Sequence, residues 1–450
     1  MADAASTLPL RPLAGFGRNR HSLARLARPQ RRAQLEALVR DVEGPLLARG
    51  FGRAYGDAAQ IEGGAVIDMT RLYRLVDFDA GTGVLVCEAG MRLAEIDRLF
   101  VPRGFCLPVL PGTGWVSVGG AIAADIHGKN HDRAGSFGDH VQWLDLLTPD
   151  GNLRRVDPLG APAIFAATVG GMGLTGIIVQ AAIRLQGQAR ACVAVRERKL
   201  TDLDALLTAL AGHRANAVYS VAWVDAMARG RKLGRSVLEI GEDSDAPAGA
   251  RARRPRPMPF AAPGFVPLRL VGKLFNAAWL ARIPAAGRDR IEPREKFFHP
   301  LDAIAGWNRF YGAAGFHQFQ CVLPDAQAPE GLRRLLETTA RSRAGCLLAV
   351  LKTLGAPGRG YLSFAMQGHT LALDIPNRAD AGEVLASLER IVLECGGRVY
   401  LAKDSTLSPE GFAAMYPELP RQRKVLAELD PEGRFQSDLS RRLGVHGATP

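Results

Sequence analysis

Glycine is concentrated in three separate loops of the first 190 residues, and this clustering constrains the fold more than any other feature of the chain. The loops read ARGFGRAYGD at 48–57, LPVLPGTGWVSVGGAIAADIHGKNHDRAGSFGDH at 107–140 and GGMGLTGI at 170–177. A glycine-rich loop can direct successive backbone N–H groups towards a phosphate, although such a loop is often only a turn. Three of them in one half of a chain indicate a single large cofactor that lies across all three, such as a dinucleotide with a tricyclic ring.

Two common nucleotide-binding patterns are absent from these loops. A P-loop needs Gly-Lys-Ser/Thr, which the loop at 48–57 lacks. The dinucleotide fingerprint of the Rossmann fold needs a βαβ unit followed at a set distance by an acidic residue, and the sequence has no such arrangement. The expected cofactor-binding fold is therefore of another class.

The apolar periodicity around the loops predicts an α+β fold. GGAVIDM and GVLVCEAG are short apolar strands, and MRLAEIDRLFVPRG carries Leu93, Ile96 and Phe100 at helical spacing before a glycine. VQWLDLLTPDGNLRRV predicts a hairpin that turns at 149–151, and GGMGLTGIIVQAAIRLQ predicts a glycine turn that runs into a strand. Alternating strands return in GFHQFQCVLP and HTLALDIP, and the last fifty residues are charged and helical.

Length and composition indicate a globular protein. With 450 residues the chain is too long for one ordinary core, and no apolar run reaches the roughly 18–20 residues that span a bilayer. The N-terminus lacks the basic start and apolar core of a secretory signal, so we expect a cytoplasmic protein. The six cysteines are scattered without a CxxC pair, which argues against a zinc ribbon or a disulfide framework.

The net charge of +12 leaves two interpretations open. An arginine-rich coding bias would simply leave the surface basic, whereas an anionic partner would be a phosphorylated ligand, a membrane surface or nucleic acid. Nucleic acid is not an expected partner, because the basic stretch RARRPRP at 251–257 has no interleaved aromatic residues and belongs to no recognisable nucleic-acid module.

Several sequence blocks carry a resemblance to a known family. RGFGRAYGD, PGTGWVSVGGAIAADIHG, GGMGLTGI and the C-terminal GGRVYLAKDS resemble the FAD-binding domain of the vanillyl-alcohol oxidase/p-cresol methylhydroxylase (PCMH) flavoproteins. Within that superfamily, GGAIAADIHGKNHDRAGSFGDHV, FFHPLDAIAGWNRFYGAAGFHQFQCVLP, AKDSTLSPEGFAAMYP and FQSDLSRRL are similar to the decaprenylphosphoryl-ribose 2′-oxidase family. The resemblance covers most of the chain and is weakest across 195–295.

The resemblance implies an α+β fold in which a two-part, PCMH-type FAD-binding domain carries an inserted substrate domain built on an antiparallel sheet flanked by helices. We therefore expect 8–190 to form the FAD-binding domain, 191–397 the substrate-binding domain, and 398–450 a C-terminal segment that returns to the FAD domain. Residues 243–290 change from Pro- and Arg-rich to apolar, and we expect them to form a mobile lid or a segment at a membrane interface.

The resemblance also implies where FAD lies. The pyrophosphate would contact the first glycine loop, the isoalloxazine ring would lie against residues 112–129, and the GGMGLTGI turn would close over the nucleotide. Relatives with covalent flavin carry a His or Cys in the first loop, where this chain has Tyr55, so we expect FAD to be held non-covalently. The expected cofactor-binding residues are Arg49, Gly50, Phe51, Gly52, Arg53, Ala54, Tyr55, Gly56, Asp57, Gly112, Thr113, Ser117, Gly119, Gly120, Ala124, Asp125, His127, Gly128, Ile177 and Tyr400.

Three of the nine histidines lie close together in the second loop, and His127 and His131 are four residues apart. A metal site at this pair would need a helix that brings both side chains to one face, and a third ligand. The flanking glycines argue against a stable helix, so we expect no metal. The remaining interpretations of His127 are a packing residue of the loop and, favoured by the resemblance, an active-site residue on the flavin side together with Lys129. His131 and His140 are expected to be solvated or packing residues.

Oxidation of a secondary alcohol needs a hydride acceptor, which flavin supplies, and a group that accepts or polarises the hydroxyl proton. The resemblance places Lys403 of the AKDS stretch at this point. Near an apolar flavin face, Lys403 could have a lowered pKa and act as a base, or it could stay charged and orient the hydroxyl group. A surface lysine paired with Asp404 is the alternative. We expect Lys403 and His127 to be the catalytic residues.

Five further residues are expected to bind substrate. Gln318 and Gln320 are two apart on one predicted strand and so face the same way, and paired amides suit a polyhydroxyl substrate. A half-buried polar strand face is the alternative for this pair. Lys352 sits on an apolar strand, where an unpaired charge is costly, and the resemblance implies that it contacts the phosphate side of the substrate. Lys129 and Thr370 complete the set.

The predicted function is FAD-dependent oxidation of a secondary alcohol on a sugar, and the resemblance points to the 2′-hydroxyl of a polyprenylphosphoryl pentose. This step would be the oxidase half of an epimerisation to the arabinose form in cell-envelope polysaccharide biosynthesis, with a short-chain dehydrogenase as the partner that reduces the keto product. The alternative substrate is a soluble polyol or aldonolactone, which is favoured by Gly-His-Thr at 368–370, where the family usually has Gly-Trp-Asn. An alternative of another class is a basic protein that binds a membrane or nucleic acid.

A basic and then apolar stretch supports a membrane surface as partner. Arg251, Arg253, Arg254 and Arg256 precede FVPLRLVGKLFNAAWLARI, in which apolar residues and Trp279 alternate with basic residues. Such composition is typical of a segment that lies in a membrane interface. We hypothesise that the stretch is exposed near the mouth of the site and binds the inner face of a membrane peripherally. The alternative is a mobile lid or a helix packed on the substrate domain.

Overall fold

A computed structural model describes residues 8–214, 216–247, 255–264, 266 and 268–447. Helices and strands are mixed along these residues, and the predicted α+β class is confirmed. Within the described ranges, no helix is both long and apolar enough to cross a bilayer.

The first 190 residues build two main sheets. Their strands are β1 (Leu10–Ala14), β2 (His21–Ala27), β3 (Leu46–Arg49), β4 (Ala65–Asp68), β5 (Leu75–Asp79), β6 (Val84–Glu88), β7 (Phe105–Cys106), β8 (Val141–Leu147), β9 (Leu153–Val156), β10 (Ile177–Arg184) and β11 (Gln186–Gly187). Their helices are α1 (Arg32–Asp41), α2 (Leu93–Phe100), α3 (Val118–Ala123), α4 (His131–Ala134) and α5 (Pro162–Thr168). One sheet has the order β1-β2-β4-β3, the other is the antiparallel sheet β5-β6-β10-β8-β9, and β7 pairs with β11.

The rest of the chain is organised around a second region with a large antiparallel sheet of order β16-β12-β14-β13-β19-β20-β18-β21. The strands are β12 (Cys192–Leu200), β13 (Tyr219–Val224), β14 (Ser236–Ser244), β15 (Arg256–Pro257), β16 (Arg288–Pro293), β17 (Ile304–Ala305), β18 (Phe316–Pro324), β19 (Ala349–Leu354), β20 (Gly368–Pro376) and β21 (Arg398–Val399). The helices are α6 (Leu203–Arg214), α7 (Leu268–Ala281), α8 (Arg294–Phe298), α9 (Ala328–Arg341), α10 (Ala381–Glu394), α11 (Pro409–Met415), α12 (Leu419–Leu429) and α13 (Asp438–Leu443). The short strands β15 and β17 pair in parallel.

The local predictions from periodicity are confirmed. Helix α2 buries Leu93, Ile96 and Phe100 on one face, and the chain leaves it through a short 3₁₀ turn to Gly104. Gly104 has a φ of 83°, a left-handed conformation that glycine adopts without strain at the end of a helix. The predicted hairpin is formed by β8 and β9, and the two late alternating stretches are the neighbouring strands β18 and β20.

Helices α9 and α10 cover one face of the large sheet. Leu332, Leu335 and Leu336 recur at helical spacing on α9 and are fully buried against the strand residues Leu371 and Leu373 of β20. Because side chains alternate along a strand, residues at even positions of β18 and β20 point to the opposite face. That opposite face carries the polar residues of the candidate site.

The C-terminal helices pack back on the first glycine loop. Phe435 forms a parallel bridge with Leu46 of β3. Arg442 of α13 donates two hydrogen bonds of 2.9 Å to the carboxylate of Asp57 and one of 2.8 Å to Asp404. Solvent does not reach Asp57 and barely reaches Asp404, at 0% and 4% exposure. One guanidinium therefore joins two buried carboxylates that are far apart in sequence, and Arg20 lies 3.7 Å from Asp57 as a more distant second cation.

Replacing this guanidinium should destabilise the protein. In Arg442→Met, both carboxylates stay buried without their main cation, and removing one partner of a buried ion pair typically costs about 3–5 kcal/mol. We expect a clear fall in the thermal unfolding midpoint. Arg441→Met is the matched control, because Arg441 is exposed and, among the described residues, bonds only to Gln436 and the Glu62 carbonyl. Equal midpoints for the two variants would contradict the prediction.

Candidate active site

The three glycine loops meet beside the polar face of the large sheet. A Cβ atom on Gly50 would lie only 2.3 Å from Oγ of Ser117, and one on Gly56 only 1.7 Å from the carbonyl oxygen of Asp404, so neither contact tolerates a side chain. In the third loop, the N–H of Gly170 donates to the Ile122 carbonyl of α3 over 2.9 Å. The first loop thus touches both the second loop and the segment that carries Lys403.

Side chains of the first loop mostly brace it. Arg49 donates to the carbonyls of Ala14 and Ala59, at 2.8 and 2.5 Å. Arg53 is different, because its guanidinium lies over the rings of Phe16 and Trp115 while its buried Nε has no hydrogen-bond partner among the described residues. The loop thus offers one buried cationic donor that the protein does not use.

The second loop is fixed by hydrogen bonds at both ends. Thr113 Oγ1 donates to Asp302 over 2.7 Å, and Ser117 caps α3 by accepting from the Gly120 N–H. Gly119 donates its N–H to the Ala89 carbonyl. Around Gly112, by contrast, no atom lies within 4 Å of where a Cβ would be, so this part of the loop is open.

Three predicted cofactor residues turn their side chains into the protein. The oxygens of Asp125 accept hydrogen bonds from the Gly138 N–H and Ser363 Oγ, and Asp57 is bonded to Arg442 as described. Ile177, the first residue of β10, is fully buried in the apolar core of the first region. Any contact from Asp125, Asp57 or Ile177 to a cofactor would therefore use their backbone atoms.

His127 lies at the centre of the site, between the second loop and the large sheet. Its Nε2 is 2.9 Å from Nε2 of Gln320, and its ring packs 5.3 Å from the rings of Phe364 and Tyr400. Nδ1 is buried and has no partner among the described residues. Burial holds the pKa of His127 well below its usual value, and the nearby Lys352, His131 and Lys403 lower it further. His127 is therefore a neutral imidazole.

His131 is used differently, although it is only four residues away. Its Nδ1 accepts a hydrogen bond from the Gly355 N–H at 2.9 Å, and its Nε2 lies 3.0 Å from Ser136 Oγ. Both ring nitrogens therefore have protein partners, which leaves no free lone pair for a metal. Across the described ranges, no group of three or more His, Cys, Asp and Glu side chains could hold a metal ion. His140 Nε2 lies 2.7 Å from the Ala134 carbonyl.

The two glutamines of β18 face the same side, as their spacing requires, and both are engaged by the protein. Gln318 donates from Nε2 to Asp374 over 2.6 Å. Gln320 lies against His127 and is 3.1 Å from Oγ1 of Thr370 on β20. Their exposed fractions are only 8% and 4%. The amides therefore order the polar face of the sheet.

Lys403 follows β21, and its ammonium group lies 3.8 Å from the centre of the Tyr55 ring. It makes no ion pair with Asp404, which is bonded to Arg442, so the surface-pair interpretation is wrong. Burial lowers the pKa of Lys403 to about 7; Asp374 opposes the shift and Lys352 adds to it. Within the described chain, no hydrogen-bond acceptor faces the Lys403 ammonium. A pKa lowered this far makes the neutral amine, which can accept a proton, accessible near pH 7.

The side chains of the other two lysines, Lys352 and Lys129, point in different directions. Lys352 of β19 stands opposite Thr370, and burial, aided by Lys129, lowers its pKa to about 8. Lys129 instead donates to the Phe297 carbonyl over 2.5 Å and lies 3.9 Å from the centre of that ring. Lys352 and Thr370 thus share the polar face with the glutamines, whereas the Lys129 ammonium is engaged beyond it.

The two side chains that depart from the family pattern at 368–370 lie on opposite faces of the large sheet. Thr370 is on the polar face, bonded to Gln320, but the side chain of His369 points to the opposite face, where its Nδ1 lies 3.2 Å from the Asp325 carboxylate. Residue 369 therefore does not line the site directly. Of the two changed side chains, only Thr370 does.

Sequence reasoning missed three residues of the site. Asp374 is 1% exposed and accepts from both Gln318 and the Tyr311 hydroxyl, the latter at 3.0 Å. Burial raises its pKa to about 6. Phe364 stacks on Tyr400 with ring centres 4.6 Å apart. The period-2 pattern from Thr370 could have placed Asp374 on the polar face, but no local signal indicates Tyr311 or Phe364.

Comparisons with known proteins match both halves of the chain. A model of the FAD binding domain matches residues 23–157, and a model of D-arabinono-1,4-lactone oxidase matches residues 315–443. Over 410 residues the chain is 39% identical to decaprenylphosphoryl-β-D-ribose oxidase of Mycolicibacterium smegmatis, which covers 88% of this chain and 89% of that protein. The chain belongs to this family of FAD-dependent oxidoreductases. The predicted PCMH-type flavoprotein resemblance and the FAD cofactor are confirmed.

Other members of this wider group of oxidoreductases are more distant. The chain is 24% identical over 389 residues to alditol oxidase of Streptomyces sp., covering 84% of this chain and 86% of that protein. It is 23% identical over 416 residues to L-gulono-1,4-lactone dehydrogenase of Mycobacterium tuberculosis, covering 88% and 89%. The match spans both regions of the chain in each case.

The site fits FAD. Arg53 Nε and His127 Nδ1 are buried donors or acceptors without a partner in the described chain, and buried polar atoms rarely stay unpaired. Around Gly112 the second loop leaves open space in which backbone atoms can approach a ligand. Tyr55 is packed between Phe16 and Phe316 below Lys403, and burial raises its pKa far above the usual value, so its hydroxyl stays protonated. A protonated phenol is a poor nucleophile, in keeping with the expectation of non-covalent FAD.

The charge of Asp374 should set the pH at which Lys403 loses its proton. Asp374→Asn keeps the shape of the side chain and one of its two acceptor oxygens but removes the charge that raises the Lys403 pKa, so that pKa should fall. If the neutral amine is the active form, flavin reduction rises with pH through this pKa, and the rising limb should move to lower pH in the variant. Asp325→Asn, at the opposite end of β18, is the control and should leave the limb in place. A limb that moves to higher pH would contradict the assignment.

Proposed function

We propose that this protein oxidises a secondary alcohol of a polyprenylphosphoryl pentose, at the 2′-hydroxyl, with FAD as the electron acceptor. The observation that carries the proposal is the placement of Lys403, whose ammonium lies 3.8 Å from the centre of the Tyr55 ring and makes no hydrogen bond to another described residue, with a pKa that burial lowers to about 7. The 39% identity to decaprenylphosphoryl-β-D-ribose oxidase supports the choice of substrate class.

Bound FAD supplies the hydride acceptor. Lys403 Nζ takes the proton of the substrate hydroxyl, because its lowered pKa leaves much of the amine neutral near pH 7. Lys352 keeps more of its charge and orients the anionic side of the substrate. Tyr400 and Phe364 stack beside His127 and exclude water from this part of the site.

The arrangement of the chain supports a substrate domain inserted between two parts of an FAD-binding domain. Residues 191–397 would be the substrate domain, with most of the large sheet, and 8–190 together with 398–450 would hold FAD. The bridge from Leu46 to Phe435 and the bonds from Arg442 to Asp57 favour this division. Lys403 would then reach the substrate from the FAD side, and Lys352 from the sheet.

A second candidate substrate is a soluble polyol or aldonolactone. It is favoured by the D-arabinono-1,4-lactone oxidase model that matches residues 315–443, which include both glutamines and Lys403. The two candidates differ in whether a lipid phosphate is needed. Under the first, a short-chain dehydrogenase is the proposed partner that reduces the keto product.

Loss of the Lys403 amine should abolish substrate oxidation but not cofactor binding. In Lys403→Met we expect the rate of flavin reduction by polyprenylphosphoryl ribose to fall by ~10²–10⁴-fold, the usual contribution of a proton acceptor, with FAD retained. Stopped-flow absorbance of the flavin measures the rate. Lys424→Met, on the exposed side of α12, is the control. A Lys403→Met rate within twofold of the parent would remove Lys403 from the mechanism. Faster reduction by free alditols or lactones than by the lipid-linked sugar would favour the second candidate.

We further propose that helix α7 docks on an anionic membrane. Leu270, Leu274 and Phe275 are 55%, 63% and 49% exposed, although they are large and apolar. The helix contains no acidic residue, and Arg269 and Lys273 supply its charges. An apolar ridge with only positive charge suits an anionic leaflet. The predicted arginines at 251, 253 and 254 lie outside the described residues.

The position of α7 supports a link with the substrate. Leu268, at its first turn, packs in one apolar cluster with Tyr55 and Phe316, which lie below Lys403. The buried face of the helix is pinned by Asn276, which donates to Asp225 over 2.7 Å. A lipid anchored in a leaflet against the outer face would thus lie near the wall of the site.

Charge placed on the α7 ridge should abolish membrane binding. We expect the protein to co-sediment with vesicles of phosphatidylcholine and phosphatidylglycerol at low salt, and less so as salt screens the leaflet. Leu274→Glu should keep it in the supernatant. Leu159→Glu is the matched control, because Leu159 is 93% exposed before α5 in the first region. Equal loss of binding in both variants, or no binding of the parent at any salt concentration, would contradict the docking surface.

A further inference from the structure

The contact between Gln320 and His127 determines which nitrogen of the imidazole carries the proton. The Gln320 amide nitrogen lies 2.9 Å from His127 Nε2 and 3.1 Å from Thr370 Oγ1. An amide NH₂ has two hydrogens and no lone pair to offer, so it donates to both atoms. His127 Nε2 must then be the acceptor in this pair, and an accepting ring nitrogen carries no proton.

The question of tautomer arises only because the ring is neutral. The titratable groups around His127 are Lys352 from β19, Lys403 from the segment after β21, and the imidazole of His131 from α4. Two of these are cations, and no carboxylate among the described residues contacts the ring. Both the cations and burial oppose a second proton on His127. A neutral ring with an accepting Nε2 has its single proton on Nδ1.

We infer that Gln320 is a positioning residue that fixes His127 as the Nδ1–H tautomer and so presents a hydrogen-bond donor to the bound cofactor or substrate. Nδ1 is buried, and no described residue accepts from it. A buried N–H without a protein acceptor needs an acceptor from outside the chain, which a ligand atom or an ordered water supplies. The inference rests on the proposed function for the identity of that ligand, but the tautomer itself follows from the protein contacts alone.

The neighbouring His131 is an internal control, because its proton is on the other ring nitrogen. His131 Nδ1 accepts from the Gly355 N–H, so the proton of a neutral His131 is on Nε2, facing Ser136 Oγ. Burial lowers the pKa of His131 to about 4, so this ring is also neutral near pH 7. Two histidines four residues apart are thus held in opposite tautomers, one by Gln320 of β18 and the other by the Gly355 N–H just after β19.

This role differs from direct substrate binding by Gln320. A glutamine that held substrate hydroxyls would weaken substrate binding when replaced. A glutamine that orients His127 would instead change the rate of the step that uses the His127 donor, and would change the protonation of the ring even without substrate. The two roles therefore separate in the measurements.

Nitrogen NMR of the FAD-bound protein labelled with ¹⁵N-histidine tests the inference near pH 7, with His127→Asn used to assign the resonances. We expect His127 to show a protonated Nδ1 and an unprotonated Nε2, and His131 to show the reverse. A protonated Nε2 on His127 in the parent protein would overturn the inference, because the Gln320 amide would then accept through its oxygen. This measurement needs no substrate, so its outcome is independent of the proposed function.

The near-isosteric variant Gln320→Met tests the positioning role. We expect the two tautomers of His127 to become mixed while His131 is unchanged, and the limiting rate of flavin reduction to fall about tenfold, the equivalent of one hydrogen bond, with substrate affinity retained. An unchanged rate with weakened substrate binding would assign Gln320 to the substrate instead. Comparison of the Nδ1 resonance in the apoprotein, with FAD, and with FAD plus a substrate analogue identifies which ligand accepts the hydrogen bond.

Discussion

The buried bonding of Arg442 to Asp57 and Asp404 is the interaction on which the geometry of the site depends. Asp57 ends the first glycine loop, two residues after Tyr55, and Asp404 directly follows Lys403. Because both carboxylates are sealed from solvent, their desolvation is offset only if the guanidinium stays between them. The ion pair therefore holds Tyr55 and Lys403 against each other, and the contact at Gly56 shows how closely the two segments approach. The C-terminal helix thereby braces a site whose parts range from the first glycine loop to Lys403.

The electrostatics of the site follow from an imbalance between cations and anions. Lys403, Lys352 and the buried His127 face one another, and the carboxylate that acts on Lys403 is Asp374. The pKa of each lysine is lowered because neither buried ammonium forms an ion pair with a carboxylate, as expected for a buried ammonium without a paired counterion. Such a site suits a ligand that brings electron-rich or anionic groups. It also gives Lys403 a pKa close to 7, which a group that accepts a proton at pH 7 requires.

The sequence predicted the fold class and several strands, and the resemblance predicted an active-site role for His127. It did not predict which groups the side chains of the site contact. Local periodicity specified α2, the β8–β9 hairpin and the shared face of Gln318 and Gln320, because these features depend on residues near in sequence. Which groups the amides would meet could not be read locally: Asp374 lies 56 residues after Gln318, and His127 lies 193 residues before Gln320. Alternation along the strand places His369 opposite Thr370, but which of the two faces carries Thr370 is settled by the register of the whole sheet.

Helix α7 shows how one element can serve the surface and the site together. Its buried side requires Gly272, where an added Cβ would lie 2.7 Å from Leu347 and 2.8 Å from Met227, so the helix cannot move inwards or rotate freely. Arg282, just past its end, is bound to the fully buried Glu197 of the sheet and fixes the other end. With both ends held, the exposed apolar ridge cannot turn to cover itself. A fixed, solvent-exposed apolar ridge carries a hydration cost, and the proposed contact with a leaflet would remove that cost.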